Sequence, residues 1–545
     1  MITNIVLILS SVGFLVMANP NELSQASSLL LGSIALIPLL IALRRSKNTS
    51  HDTIYAIIFC LTLNPLLYFW LSAFENFSFW AILGVSIWYI PYYLLLFIIL
   101  GSTRHTHPNW RVLIQVIIWT SFEFLKSIGA LGFPWGMLSN TASENILLIQ
   151  IADFMGMWGT SLLLATINAC LVQVWHALFP EPATLYQPVK SPISPIPLVQ
   201  TIFSTNFQPI PKKNLWRFIM TPALLVLLTC TYGYIRLTET IPITETISIH
   251  MLQANRDPWN LPSTSVNLQE AQHLTQISIQ NHGKPDLVLW SETFLMIPYS
   301  NDSDYYYTTP DSRPFMDFLR ENNIHLVTGM MGTEESTNSK DYYNSAALFS
   351  SEGFESIYHK QHLVPMGEFL PFWHLSFAQW FYRNVLHFRP TWSAGNESIP
   401  LRFNKGAHTI ALGLLICFED SFSYLSRRMH RNGANILVNI SNNSWAGVQS
   451  TLEQQFSAAR YRSVETRLSL VRLGENGLTQ VVDAYGRVID QAEPLTKTIL
   501  KTTAPIYERQ ETFYTRYGNV IPWTLFFLSM LYTVLFALRF RRVRL

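Results

Sequence analysis

Uncharged apolar runs crowd both ends of the chain, and ordinary mixed sequence fills the middle. A run of roughly 18 residues or more can cross a bilayer, and by that criterion about eight membrane helices are expected. They lie near 4–19, 26–43, 53–73, 78–100, 110–128, 158–179, 217–236 and 520–538. The first lacks the basic leader and small-residue cleavage site of a signal peptide, so it reads as a membrane helix. Basic residues mark every second connection: Arg44, Arg45 and Lys47; Arg104 and Arg111; Lys190, Lys212, Lys213 and Arg217; and the terminal Arg539, Arg541, Arg542 and Arg544. The alternate connections, 19–25, 74–76 and 128–157, have none. The positive-inside rule then puts both termini in the cytoplasm and 237–519 outside it. Three parts are expected: a bundle over 1–236 with a Pro-rich cytoplasmic loop at 181–212, an extracytoplasmic domain over 237–519, and a last membrane helix with a basic tail over 520–545.

The middle changes period. Short, nearly continuous apolar runs at 247–253, 287–290, 325–329, 346–350, 410–417, 436–440, 468–472 and 479–484 read as strands, several of them buried on both faces. Helical spacing recurs at 266–281 and 452–466, and the turns at 351–353 and 485–486 predict hairpins. The pattern predicts a layered α/β or α+β domain.

Composition sharpens this picture. Charged residues make up 13% of the chain, against about 25% in soluble domains, and the deficit sits in the apolar ends. Net charge is +2, and no basic cluster in the middle points to nucleic acid. Of four cysteines, Cys60, Cys170 and Cys230 lie within apolar runs, and only Cys417 lies in the polar middle. Neither a disulfide framework nor a metal site follows from their spacing, and no cofactor is expected.

Three strand ends carry chemistry. Glu292 ends Asp-Leu-Val-Leu-Trp-Ser-Glu-Thr, where a partly desolvated carboxylate could act as a base. Lys360 follows a strand-like stretch in Tyr-His-Lys-Gln-His-Leu-Val-Pro-Met-Gly-Glu, ending at Glu368. An ammonium there would stabilise an oxyanion and favour a neighbouring thiolate; Glu368 could hold it in place. Cys417 closes an apolar run just before Phe418, Glu419 and Asp420. Read singly, the glutamate and the lysine have commoner fates, a solvated loop and the surface, and the cysteine is as readily a buried inert thiol as a nucleophile. Together they form a complete acyl-transfer apparatus. His362 reads as structural.

At these residues the chain resembles the nitrilase superfamily, whose Glu-Lys-Cys triad occurs in this order. It is most similar to the bacterial apolipoprotein N-acyltransferases. The resemblance rests on His-Leu-Val-Pro-x-Gly-Glu after Lys360, on Ile416 to Asp420, on Ile440 to Gly447, on Arg472 with Asn476-Gly477, and on Glu123 to Lys126 and Gly132 to Trp135. It implies a four-layer αββα sandwich beside the helical bundle. It also implies Glu292 as base, Lys360 as oxyanion stabiliser, Cys417 as nucleophile, and Glu368 and Glu419 as supporting acids, with Phe418 offering a backbone N–H. Trp259 stands where that family has a substrate-contacting tryptophan, and Trp445 falls in a matching segment. The chain departs from the pattern at Ser291, Ala254, Met366, Phe418 and Gly474-Glu475.

The resemblance further implies the substrates: a membrane phospholipid as acyl donor and the N-terminal lipid-modified cysteine of an apolipoprotein as acceptor, at a bacterial inner membrane with the catalytic domain in the periplasm. A monomer is expected. The aromatic segment 369–392, with Phe372, Trp373, Phe377, Trp380, Phe381, Phe388 and Trp392, would suit a lipid-facing arm or, equally, an aromatic core. Two other functions remain open at this stage, a membrane-anchored nitrilase-type amidase using water as acceptor and a transporter.

Overall fold

A computed structural model describes residues 1–73, 78–180, 202–203, 214–257, 263–299, 304–336, 339–385, 389 and 392–541. The chain divides into two compact units: Met1–Ser127, Pro134–Glu239 and Tyr517–Leu545 form one, and Ile128–Phe133 with Thr240–Arg516 the other. Most of the Pro-rich loop and the substrate candidate Trp259 lie outside the described residues.

The first unit is helical. Among the described residues, four helices are long and apolar enough to cross a membrane: Phe79–His105, Trp158–Leu178, Leu215–Thr238 and Val520–Leu538. The other expected spans correspond to shorter, broken or more polar helices. The run at 26–43 divides into Leu29–Gly32 and Ile37–Arg44, and Pro108–Lys126 carries Arg111, Glu123 and Lys126 among its buried residues. Buried charge needs partners, and both acid and lysine have them. Glu123 accepts from Ser161 Oγ at 2.5 Å and from the Leu138 N–H at 2.6 Å. Lys126 Nζ donates to Tyr68 Oη at 2.8 Å and to the Trp135 carbonyl at 2.7 Å. These groups are spent on internal bonds, which weighs against a solute pathway built on them.

The second unit contains β1 (Ile243–Gln253), β2 (Leu287–Leu289), β3 (Leu326–Ser336), β4 (Ser339–Ser350), β5 (Gly353–His359), β6 (Leu401–Lys405), β7 (His408–Ile416), β8 (Ile436–Ser441), β9 (Leu470–Gly474), β10 (Gln480–Val482), β11 (Val488–Gln491) and β12 (Thr498–Tyr507). They build two six-stranded sheets, ordered β12-β1-β2-β3-β4-β5 and β11-β10-β9-β8-β7-β6. Helices Thr264–His282 and Phe315–Asn322 pack on the first sheet, Ser423–Arg431 and Gln449–Thr466 on the second, and the sheets meet each other through β1 and β9, β4 and β7. The result is a helix–sheet–sheet–helix sandwich. Its central strands are parallel and wholly buried, as in β2, β8 and β9, which is why they read as continuous apolar runs. The four edge strands, β5, β6, β11 and β12, leave little trace in the sequence. Two were visible only as hairpin partners, and β6 and β12 not at all, because a half-exposed edge has no unbroken apolar run.

Candidate active site

The ends of β2, β5, β7 and β8 bring the site together. Beyond β2, Trp290 is buried and donates Nε1–H to Thr275 Oγ1 at 3.2 Å. The chain then turns sharply, with Thr293 at φ +52°. Gly329 makes room for this corner: a Cβ there would lie 2.5 Å from Glu292 Cα. Glu292 is 5% exposed. Its Oε1 accepts from Lys360 Nζ at 3.1 Å and from Asn344 Nδ2 at 2.8 Å, and its Oε2 accepts from the Asn442 N–H at 2.7 Å.

Lys360 directly follows β5 and is 1% exposed. Its N–H donates to the Asn344 carbonyl at 2.8 Å, and its Nζ also reaches Glu368 Oε1 at 2.8 Å. Burial opposes the ammonium, but Glu292 and Glu368 outweigh that cost and hold its pKa well above the usual lysine range. Glu368 is fixed in turn by Asn344 Nδ2 and by the Val364 N–H, both at 2.8 Å.

Cys417 was expected to end a strand. The strand instead stops at Ile416, and Cys417 takes a left-handed φ of +52° at the start of a short 3₁₀ turn, Cys417–Ser421. This conformation is costly for a non-glycine residue and marks an elbow. The thiol donates to Asn443 Oδ1 at 3.5 Å. It lies within electrostatic reach of Glu292, Lys360 and Glu368, so the three predicted groups lie near one another. Lys360 favours the thiolate as expected, but it does not decide the balance. Burial and then Glu292 push the thiol pKa well up, and Lys360 offsets them only in part. One ammonium already answers to two carboxylates, so a thiolate would add a second uncompensated negative charge.

Glu419 is fully buried and ties the elbow to the lysine. Oε2 accepts from the Ile416 N–H at 2.8 Å, and Oε1 accepts from the N–H groups of Gln361 at 2.7 Å and His362 at 3.0 Å. Tyr358 Oη donates to the same carboxylate at 2.9 Å. Burial raises the Glu419 pKa to about 7. Phe418 is 4% exposed and packs edge-on against Phe422. His362 stacks on Phe422 at 3.6 Å and faces Tyr424 Oη at 2.9 Å. Trp445 is half-buried just past Asn442 and Asn443.

The aromatic segment stands apart from this cluster. Its ends are joined where the Trp392 N–H donates to the Glu368 carbonyl at 3.3 Å. Between them, helix Ser376–Asn384 exposes Phe377 at 74% and Trp380 at 55%. Trp373 is half-buried beneath the Arg383 guanidinium at 5.1 Å. Phe388 lies outside the described residues. The exposure of Phe377 and Trp380 weighs against an aromatic core over this helix, though Tyr382 is buried.

Sequence reasoning missed Asn344 and gave no role to Tyr358 or Asn443, though both lie in segments it singled out. Asn344 sits in β4 within Asp-Tyr-Tyr-Asn-Ser, a polar stretch with no mark of burial, yet it is 1% exposed.

Two family models match the chain: the apolipoprotein N-acyltransferase N-terminal domain over residues 13–170 and carbon-nitrogen hydrolase over 250–512. Apolipoprotein N-acyltransferase 2 of Treponema denticola is 28% identical, with 94% of each chain covered. Apolipoprotein N-acyltransferase 2 of Treponema pallidum is 27% identical over 93% of this chain and 90% of its own. Apolipoprotein N-acyltransferase of Borreliella burgdorferi is 27% identical over 92% and 90%.

Proposed function

The chain belongs to the apolipoprotein N-acyltransferases of the nitrilase superfamily, and on that premise we propose that it moves a fatty acyl chain from a membrane phospholipid, through a Cys417 thioester, to the α-amine of an apolipoprotein's N-terminal diacylglyceryl-cysteine. The observation that carries this is the buried cluster of one thiol, one ammonium and two carboxylates.

Glu292 takes the thiol proton as sulfur attacks the phospholipid ester carbonyl, so no free thiolate needs to persist at rest. Lys360 and the backbone N–H of Phe418 stabilise the tetrahedral oxyanion. Collapse breaks the ester C–O bond, and Glu292 returns the proton to the departing lysophospholipid. The acceptor amine then attacks the thioester. Its C–N bond forms, the C–S bond breaks, and Glu292 carries the amine proton back to sulfur. One acyl-enzyme serving two substrates predicts ping-pong kinetics.

The exposed aromatic helix would seat in lipid and admit both substrates. In this reading about eight helices anchor the chain in a bacterial inner membrane, with the catalytic unit periplasmic and both termini cytoplasmic. A reporter fused within 237–519 would test the orientation. Mass spectrometry of Cys417 after incubation with phospholipid tests the chemistry: a fatty-acyl adduct is expected. Release of free fatty acid without transfer to amine would favour the amidase-like alternative, and lipoproteins that stay acylated in a Cys417→Ala strain would end the proposal.

A further inference from the structure

Two of the positions at which the chain departs from its family's pattern, and a residue just past a third, meet in one place. Ser291, Glu475 and the segment after Ala254 form a buried network directly behind Glu292. Arg256 donates Nε–H to Glu475 Oε1 at 2.7 Å and Nη2–H to Oε2 at 2.9 Å, a two-pronged ion pair. The Arg256 N–H adds a bond to Oε1 at 3.0 Å. Ser291 Oγ donates to Glu475 Oε2 and accepts from Arg256 Nη2 at 3.4 Å. Phe294 covers the guanidinium, 4.1 Å from ring centre to carbon. Glu475 and Ser291 are fully buried, and the Arg256 side chain is 7% exposed.

The placement of this network matters more than its strength. Arg256 and Ser291 follow β1 and β2 of one sheet, whereas Glu475 follows β9 of the other and donates its N–H to the Ser441 carbonyl at the end of β8. Base and nucleophile are divided in the same way: Glu292 follows β2, and Cys417 follows β7. We infer that Arg256, Glu475 and Ser291 are positioning residues that lock the two sheets in register and so aim the Glu292 carboxylate at Cys417. An isolated buried pair is weak evidence for stability. Its value here is geometric, because displacements of about 1 Å can cost a reaction about 100-fold. This inference rests on Glu292 being the base.

The groups facing Glu292 are Lys360, Glu368 and Asn344 from the first sheet, and Cys417 with the Asn442 N–H from the second. The Arg256–Glu475 pair is neutral as a whole, so removing one half leaves a signed charge beside the Ser291–Glu292 corner. Full-length Glu475→Gln, Arg256→Gln, the double variant and Ser291→Ala are compared on phosphatidylethanolamine–phosphatidylglycerol vesicles. For thioester formation, Glu475→Gln should move the acidic limb of the pH profile down by about one unit and Arg256→Gln should move it up by about as much. The double variant should return the limb, with maximal rate about tenfold lower and KM unchanged. Ser291→Ala should show the same loss without a limb shift. The same signed shifts are expected in the pH profile of Cys417 alkylation by iodoacetamide, which needs no acyl transfer. Limbs that stay put, or that move the same way in both single variants, overturn the inference. If a single variant fails to fold, the double decides: a wild-type rate overturns, and a reduced rate at constant KM upholds. A wild-type chain that forms no thioester would sink the acyl-transfer proposal, while the alkylation profile would still judge the network.

Discussion

Asn344 donates Nδ2–H to Glu292 Oε1 across 2.8 Å, and the same nitrogen donates to Glu368 Oε1 at the same distance. The amide bridges two carboxylates that Lys360 also joins. Its Oδ1 is buried without a hydrogen-bond partner, so the orientation is set by the acids. Asn344→Leu should lower thioester formation about 100-fold by freeing the base from its aim. Asn344→Asp should do worse, because a third carboxylate would crowd one ammonium. Single-turnover kinetics with labelled phospholipid would measure both, and near-normal rates in the Leu variant would remove Asn344 from the machinery.

The raised thiol pKa yields an opposite pair of effects. Glu292 is the strongest charge holding the thiol protonated. Glu292→Gln should therefore abolish acyl transfer yet speed iodoacetamide alkylation of Cys417 at pH 8, since the thiolate fraction rises once that charge is gone. Lys360→Met should slow both reactions, because it removes a nearby charge that favours thiolate. Parallel rates in the two assays would contradict the charge balance described for the site.

Glu419 makes a pH prediction of defined sign. Burial raises its folded pKa to about 7 from an ordinary 4.5, so the folded chain binds this proton more tightly than the unfolded chain. The stability it contributes is fully present below about 4.5 and is lost as pH rises through about 7. Glu419→Gln should flatten the dependence of thermal midpoint on pH between roughly 5 and 8. It should also destabilise the unit by about 3 kcal/mol at low pH, because an amide NH₂ would face N–H donors. An unchanged slope would mean that this carboxyl does not titrate in that window.

Phe377 and Trp373 test the arm. Phe377→Asp should cut acylation from vesicles by about tenfold or more, leaving thermal stability and Cys417 alkylation alone. Trp373→Asp should act in the same direction. Full activity on vesicles, or a drop in midpoint, would assign the segment to packing.

The sequence announced the centre of the molecule better than its margins. Glu292 and Cys417 each close an apolar run, the strongest strand signal, and Lys360 was marked by the motif that follows it. Three things were out of reach. The elbow at Cys417 depends on a backbone angle that no periodicity encodes. Asn344 is buried by its neighbours across the sheet, not by its own stretch of chain. The direction of the thiol shift needed a tally of surrounding charges and burial, which distant segments supply. Ser291 and Glu475 were visible as oddities, but only folding brings them together.

The edge strand β12 is the last strand of the sandwich to be synthesised, and it pairs with β1, the first. A ribosome-bound chain that has not yet released residues 498–507 cannot complete the sheet whose neighbouring strand presents Glu292. Closure of that sheet therefore waits on the meeting of the sandwich's last strand with its first.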